Sequence, residues 1–124
     1  MNTTQNAKKD QTIFRANLDY AIYNTIQEAK AKAHLSANKR HAVIGDFDTC
    51  GWAYIEVKGV RSNSFLGKTL IKYGFQKDSS SMYFSDPTRL SQSISVSEAS
   101  CDAFVDVFKS RFPEIEMSVQ SWVD

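Results

Sequence analysis

One stretch, CGWAYIEVK at positions 50–58, limits what this chain can fold into more than any other. From Trp52 onward it alternates with a period of two. Ala53, Ile55 and Val57 fall on one side; Trp52, Tyr54, Glu56 and Lys58 fall on the other. Successive side chains of a strand point to opposite faces, so the stretch reads as a half-buried β-strand. Its apolar side belongs to a core. Its other side begins with two large aromatics and ends in charges, which is not an ordinary solvent face.

The remaining elements follow in order. Residues 1–10 are polar and are expected to fray. A helix, assigned to 11–40 in the domain plan, should start near Asp10 or Thr12 and run to about Ala37. Leu18, Ile22, Ile26, Ala29 and Ala33 form its apolar stripe at three- and four-residue spacings. Ala42-Val43-Ile44 suggests a short strand or an extended entry into the core, and 45–49 a turn carrying Asp46 and Asp48. After the key strand, Ser62 or Asn63 can cap a second helix with Phe65, Leu66, Thr69, Leu70 and Tyr73 inward. Gly74 suits the left-handed position that closes a helix, and Phe75 the hydrophobic contact beyond it.

Gln76 to Ser81 reads as a polar connection. Met82-Tyr83-Phe84 reads as a short strand ended by Asp86-Pro87. Gln92 to Val96 alternates again, with Ile94 and Val96 inward, and suggests another strand. Ser95 and Glu98 have the spacing of a capping box, which would open a third helix lined by Cys101, Phe104, Val105, Phe108 and Phe112. Ile115 to Trp122 alternates cleanly, with Ile115, Met117 and Val119 inward and Glu116, Ser118, Gln120 and Trp122 outward.

From Trp52 the order is strand–helix–strand–strand–helix–strand. This is the succession of a ferredoxin-like split βαβ fold, an α+β plan with two helices on one face of a four-stranded antiparallel sheet. The expected organisation is one domain over 1–124, with the ferredoxin-like part at 51–124 and the helix of 11–40 as an addition.

Composition narrows the function classes. No apolar run approaches the roughly 20 residues of a membrane span, and the N-terminus lacks the apolar segment of a secretory signal. The expectation is therefore a cytoplasmic protein with Cys50 and Cys101 as reduced thiols. Residues 1–77 carry twelve Lys/Arg against six Asp/Glu, whereas residues 78–124 carry three against eight. This asymmetry is either two solvated faces or a bipolar surface whose basic side meets an acidic partner or a phosphate backbone. The basic group Lys30, Lys32, Lys39 and Arg40, at the far end of the first helix, also suits the helix dipole.

No metal site is expected, since His34 and His41 find no third ligand at a convincing spacing. Asp46 and Asp48 suit a turn better than an acid–base pair. Gly67-Lys68-Thr69 resembles the tail of a phosphate-binding loop, but Ser62 stands where that loop needs a glycine. No nucleophile–base grouping can be assembled, with Cys50 the one nucleophile worth naming. A non-enzymatic protein without a cofactor is expected.

If both crossover helices cover the Ile55/Val57/Ile94/Met117 side, the opposite face carries Trp52, Tyr54, Gln92, Gln120 and Trp122, with Tyr83 as a further candidate. Three readings are open. The N-terminal helix covers the rings, a partner protein or a second copy buries them, or bases of a single strand stack on them. The last wants basic neighbours, and the final strand offers Glu116 and Asp124 instead.

The string Cys50 to Ile55, the Lys72–Phe75 helix end, Asp86-Pro87, Gln92-Ser93, Glu98-Ala99, Ala103-Phe104 and the terminal Asp124 together resemble a family of small proteins of phages, prophages and plasmids. The resemblance covers about the last three-fifths of the chain. It departs at Ser79-Ser80-Ser81, where the family often has glycines. What it implies is context: an accessory protein of a mobile element in a bacterial cytoplasm. Such a protein is expected to bind and inhibit a host protein, most concretely a CRISPR effector or other defence complex. A nucleic-acid-binding module is the alternative, and a homodimer a third possibility.

Overall fold

A computed structural model describes residues 3–45, 48–79 and 81–123. Its elements are α1 (Thr3–Ile44), β1 (Gly51–Lys58), α2 (Phe65–Lys72), β2 (Gln76–Lys77), β3 (Met82–Ser85), α3 (Ile94–Arg111) and β4 (Glu116–Val123). The fold is α+β, with three helices and a four-stranded antiparallel sheet in the order β2-β3-β1-β4. No helix among the described residues is long and apolar enough to cross a membrane.

The alternation of 50–58 is realised as expected. Ala53, Ile55 and Val57 are buried, Trp52 and Lys58 are exposed, and Tyr54 and Glu56 lie between. They meet Phe84 and Met82 of β3 and Met117 of β4, then the aromatic ladder of α3. In that ladder Phe104 stacks on Phe84 at 5.0 Å and on Phe108 at 5.4 Å, with Phe75 against Phe84 at 4.8 Å. Ile115, Met117 and Val119 join this core as the β4 alternation requires.

The end of α2 also follows the sequence. Gly74 has a φ of 115°, its N–H donates to the Ile71 carbonyl, and the Phe75 N–H reaches back to the Leu70 carbonyl. Those two bonds close the helix in the Schellman pattern and swing Phe75 into the core. The start of α2 differs by a residue or two: Ser64, rather than Ser62 or Asn63, accepts the capping bond from the Gly67 N–H.

Three expectations are corrected. First, α1 neither begins near Asp10 nor ends near Ala37. It is continuous over 42 residues, about 63 Å at 1.5 Å per residue, and it takes Ala42-Val43-Ile44 as its last turn before Gly45 at φ 61°. Helical continuity from Ala37 outweighs the weak β preference of Val43 and Ile44. Second, 92–96 is not a strand. Ser93, not Ser95, caps α3, accepting from the Val96 N–H, and the Asp48 carboxylate holds Ser93 in place. The apparent period of two is the opening of a helical pattern in which Val96, Ser97, Ser100, Cys101, Phe104, Val105 and Phe108 are buried. Third, the strand beside β3 is Gln76–Lys77, within the stretch expected to be a polar connection.

The position of α1 sets up the site. Ile22, Ile26, Ala29, Ala33 and Ala37 are buried, and all but Ala37 belong to the cluster that holds Ile55, Phe104 and Phe108. Small side chains at 29, 33 and 37 admit close helix packing against α3, and Arg111 of α3 pairs with Glu28. A second tie joins α1 to α2. Tyr73 donates its hydroxyl to Asp19, and Lys72 Nζ lies 3.1 Å from the same carboxylate. The Tyr73 hydroxyl first, and then Lys72, hold Asp19 below its ordinary value. All three helices thus share one side of the sheet.

Candidate functional site: the uncovered aromatic face

The opposite side of the sheet carries a connected row of rings. The β1–β4 register sets Trp52 against Trp122 and Tyr54 against Gln120, and the β1–β3 register sets Glu56 against Tyr83. Side chains directly across an antiparallel pair are near neighbours, so the rings touch. Trp52 and Trp122 meet edge to face at 4.7 Å, Trp122 and Tyr54 at 5.2 Å, and Tyr54 and Tyr83 at 6.4 Å. Trp52 and Trp122 remain 43% and 45% exposed. The reading in which the N-terminal helix covers these rings is therefore overturned. The stripe of α1 packs on α3, on the far side.

Gly51 makes the tryptophan end possible. A Cβ there would collide with the Trp122 carbonyl oxygen and crowd Val123, so only glycine lets the two strands close at this end. The Gly51 N–H meanwhile donates to the Gln92 carbonyl at 3.0 Å, and the Ile94 N–H to the Thr49 carbonyl at 2.9 Å. The tryptophan pair is thus tied to the entrance of α3.

The segment from Asp86 to Gln92 forms a wall beside the rings. Asp86 organises it, accepting from the Thr88 N–H at 2.9 Å, the Thr88 hydroxyl at 3.1 Å, and the Ser97 and Ser100 hydroxyls at 2.6 and 2.8 Å. Ser97 in turn accepts from the Ala53 N–H at 2.8 Å, so one carboxylate links the wall, α3 and β1. Arg89 sits in the left-handed backbone region at φ 46° as the wall turns. Between wall and rings lies a groove of about 950 Å³, with Trp52, Tyr54, Tyr83 and Trp122 among its walls and Lys77, Arg89, Leu90 and Gln92 around them. Tyr83 donates its hydroxyl to Gln76 at 2.6 Å, which fixes the ring at the β2 end.

The structure brings Trp52, Tyr54 and Trp122 together as the sequence suggested, and Tyr83 joins them. Gln120 is beside Tyr54 in register but outside the groove lining. Gln92 is not on a strand, because it immediately precedes the cap of α3; it reaches the groove from the wall instead. Lys30 lies 5.8 Å from the Phe84 ring on the helical side, and Lys32, Lys39 and Arg40 are exposed on α1. None of these four lines the groove. The cations that do, Lys77 and Arg89, were missed. Lys77 belongs to a strand only two residues long, and Arg89 to a loop whose shape depends on Asp86 meeting α3.

Asp48 has a structural role. Asp48 accepts from the Ser93 hydroxyl at 2.9 Å and the Ser95 N–H at 3.0 Å. The Ser95 hydroxyl first, then the Ser95 and Thr49 amides and the Ser93 hydroxyl, hold its carboxyl well below the usual range. Cys50 is an exposed free thiol, while Cys101 is buried, which pushes its thiol far up. No metal-binding cluster occurs among the described residues. Asp46, Ser80 and Asp124 lie outside the described residues. No family model matches the chain, and neither a curated protein nor a solved structure resembles it significantly.

Proposed function

We propose that this chain is a non-enzymatic accessory protein of a phage or other mobile element that binds and inhibits a host protein in the bacterial cytoplasm, most concretely as a counter-defence inhibitor of the anti-CRISPR kind. The observation that carries the binding reading is the uncovered row Trp52–Trp122–Tyr54–Tyr83. Large rings cost little conformational entropy when a partner immobilises them, and they dominate the centres of protein interfaces. The mobile-element context comes from the resemblance of Cys50–Ile55 and the segments after it. The same reading takes residues 51–123 as a ferredoxin-like split βαβ. Supporting it are the succession β1-α2-β2-β3-α3-β4 and a β3 that lies between β1 and β2.

The test is affinity capture from nuclease-treated bacterial lysate, with the wild type beside Tyr54→Ala and Trp122→Ser. The expected result is a stoichiometric protein bound by the wild type and weakened about thirty-fold by either substitution, the loss of about 2 kcal/mol typical of an anchor ring. A partner held equally by folded variants would remove the aromatic face from the interface.

Lys77 and Arg89, which line the groove together with Asp78 and Asp86, suggest a second reading, in which the groove takes single-stranded nucleic acid. Rings would stack on bases while the two cations meet phosphates. That reading requires a catch lost on nuclease treatment and an affinity that falls steeply with salt.

A further inference from the structure

We infer that β4 pairs with β4 of a second copy, so that two chains form one continuous eight-stranded sheet. The strand is eight residues long and pairs with β1 over its whole length without a bulge, from Gly51↔Val123 to Lys58↔Glu116. Its outer edge has no backbone partner among the described residues. A long flat edge is a template for another strand, and proteins that stay monomeric blunt it with lysine, proline, a bulge or a covering segment. Glu116–Val123 has no lysine, proline or bulge, and its one charge is Glu116 at the end.

The occupant is a second copy because of the opposite edge. β2 is only two residues long, so it cannot serve as the complementary edge of a head-to-tail stack. The isologous pairing of β4 with itself closes after two chains. Charge is compatible with it, since Glu116 at one end is the sole charge in the strand. Antiparallel pairing puts the two Glu116 side chains at opposite ends of the seam, so they do not face each other.

The two-fold axis relating antiparallel neighbours stands perpendicular to their sheet, so both open faces lie on the same side. Trp122 belongs to β4 itself, which brings the two aromatic rows toward one seam. The dimer therefore presents a doubled platform. This inference does not rest on the identity of any partner.

Sedimentation velocity on the full chain tests it, from about 1 to 200 μM, with acrylamide quenching at each concentration. Quenching is read on Trp122→Phe, where Trp52 of β1, one strand in from the seam, is the single tryptophan left. The expected result is a species of twice the 14.0 kDa chain mass with unchanged quenching of Trp52. Ser118→Lys/Gln120→Lys is expected to weaken it at least ten-fold while retaining the wild-type circular dichroism. A chain monomeric throughout overturns the inference. So does a dimer in which Trp52 becomes protected, because that copy covers the face rather than the edge. A dimer unaffected by the folded double-lysine variant overturns it as well.

Discussion

The two sides of this sheet are built from the same strands and kinds of side chain, yet they do opposite work. On one side Phe84, Phe75, Phe104 and Phe108 stack in the dark, each no more than 8% exposed, beneath α3 and α1. On the other, Trp52, Trp122, Tyr54 and Tyr83 make a comparable chain of ring contacts with no helix over them. Ring contact alone therefore does not make a core. The helical side removes its rings from water almost completely, and that removal stabilises the fold. The open side shares its rings with solvent, so they contribute less burial energy to the fold.

Breaking the helical side should have the largest effect. Phe104→Ala empties the centre of the stack and is expected to cost about 3–5 kcal/mol, measured by urea unfolding. A loss below about 1 kcal/mol would mean that the stack collapses around the cavity and is not the centre of the fold. Next comes the hinge between the two sides. Gly51→Ala places a methyl group against the Trp122 carbonyl, so β1 and β4 must part. The expected cost is about 1–3 kcal/mol, with increased exposure of Trp52 and Trp122 to acrylamide. Unchanged quenching would show that the strands yield elsewhere.

Much of the comparison was legible in the sequence. The period of two in 52–58 and 115–122 assigns Trp52, Tyr54 and Trp122 to one side and Ile55, Val57 and Met117 to the other, because strand geometry leaves no other choice. The Leu70–Phe75 helix end was legible for the same reason: glycine at that place has few alternatives. The side on which α1 packs was not. An Ala29/Ala33/Ala37 stripe fits against either face, and only the partner decides. The 92–96 segment misled because five alternating residues are too few to separate a strand from a helix start. The wall of the groove was hidden as well, since it depends on Asp86 meeting Ser97 and Ser100, and their shared helix face appears only once the register of α3 is known.

The entrance of α3 couples the wall to the fold and gives a smaller effect with a pH signature. Ser93→Ala removes the cap and the donor to Asp48 and is expected to cost about 1 kcal/mol. Asp48 has a depressed folded pKa, so the unfolded chain binds its proton more readily than the native one. Its stabilisation is full above the unfolded value of about 3.9 and is lost as pH falls from there toward the folded value. Asp48→Asn should therefore differ most from the wild type at pH 6, and the gap should narrow by pH 3. Urea unfolding at the two pH values checks this, and a constant gap would show that the carboxylate charge is not what holds the α3 entrance. Asp19 acts in the same window at the α1–α2 contact, so it moves both proteins equally.

The smallest stability effect belongs to the open side, and it separates the two faces most cleanly. Trp122→Ser loses one cross-strand ring pair and a contact with Tyr54, worth less than about 1 kcal/mol together. It creates no cavity, because the ring is already 45% exposed. Its unfolding midpoint in urea should thus lie close to that of the wild type, far from that of Phe104→Ala. A cost of 3 kcal/mol or more would mean that the ring row holds the sheet together, and the division of labour between the faces would fail. Near-neutral stability joined to loss of the captured partner is the result that makes Trp122 a binding residue, since a ring that contributes little to folding and much to binding has its function outside the chain.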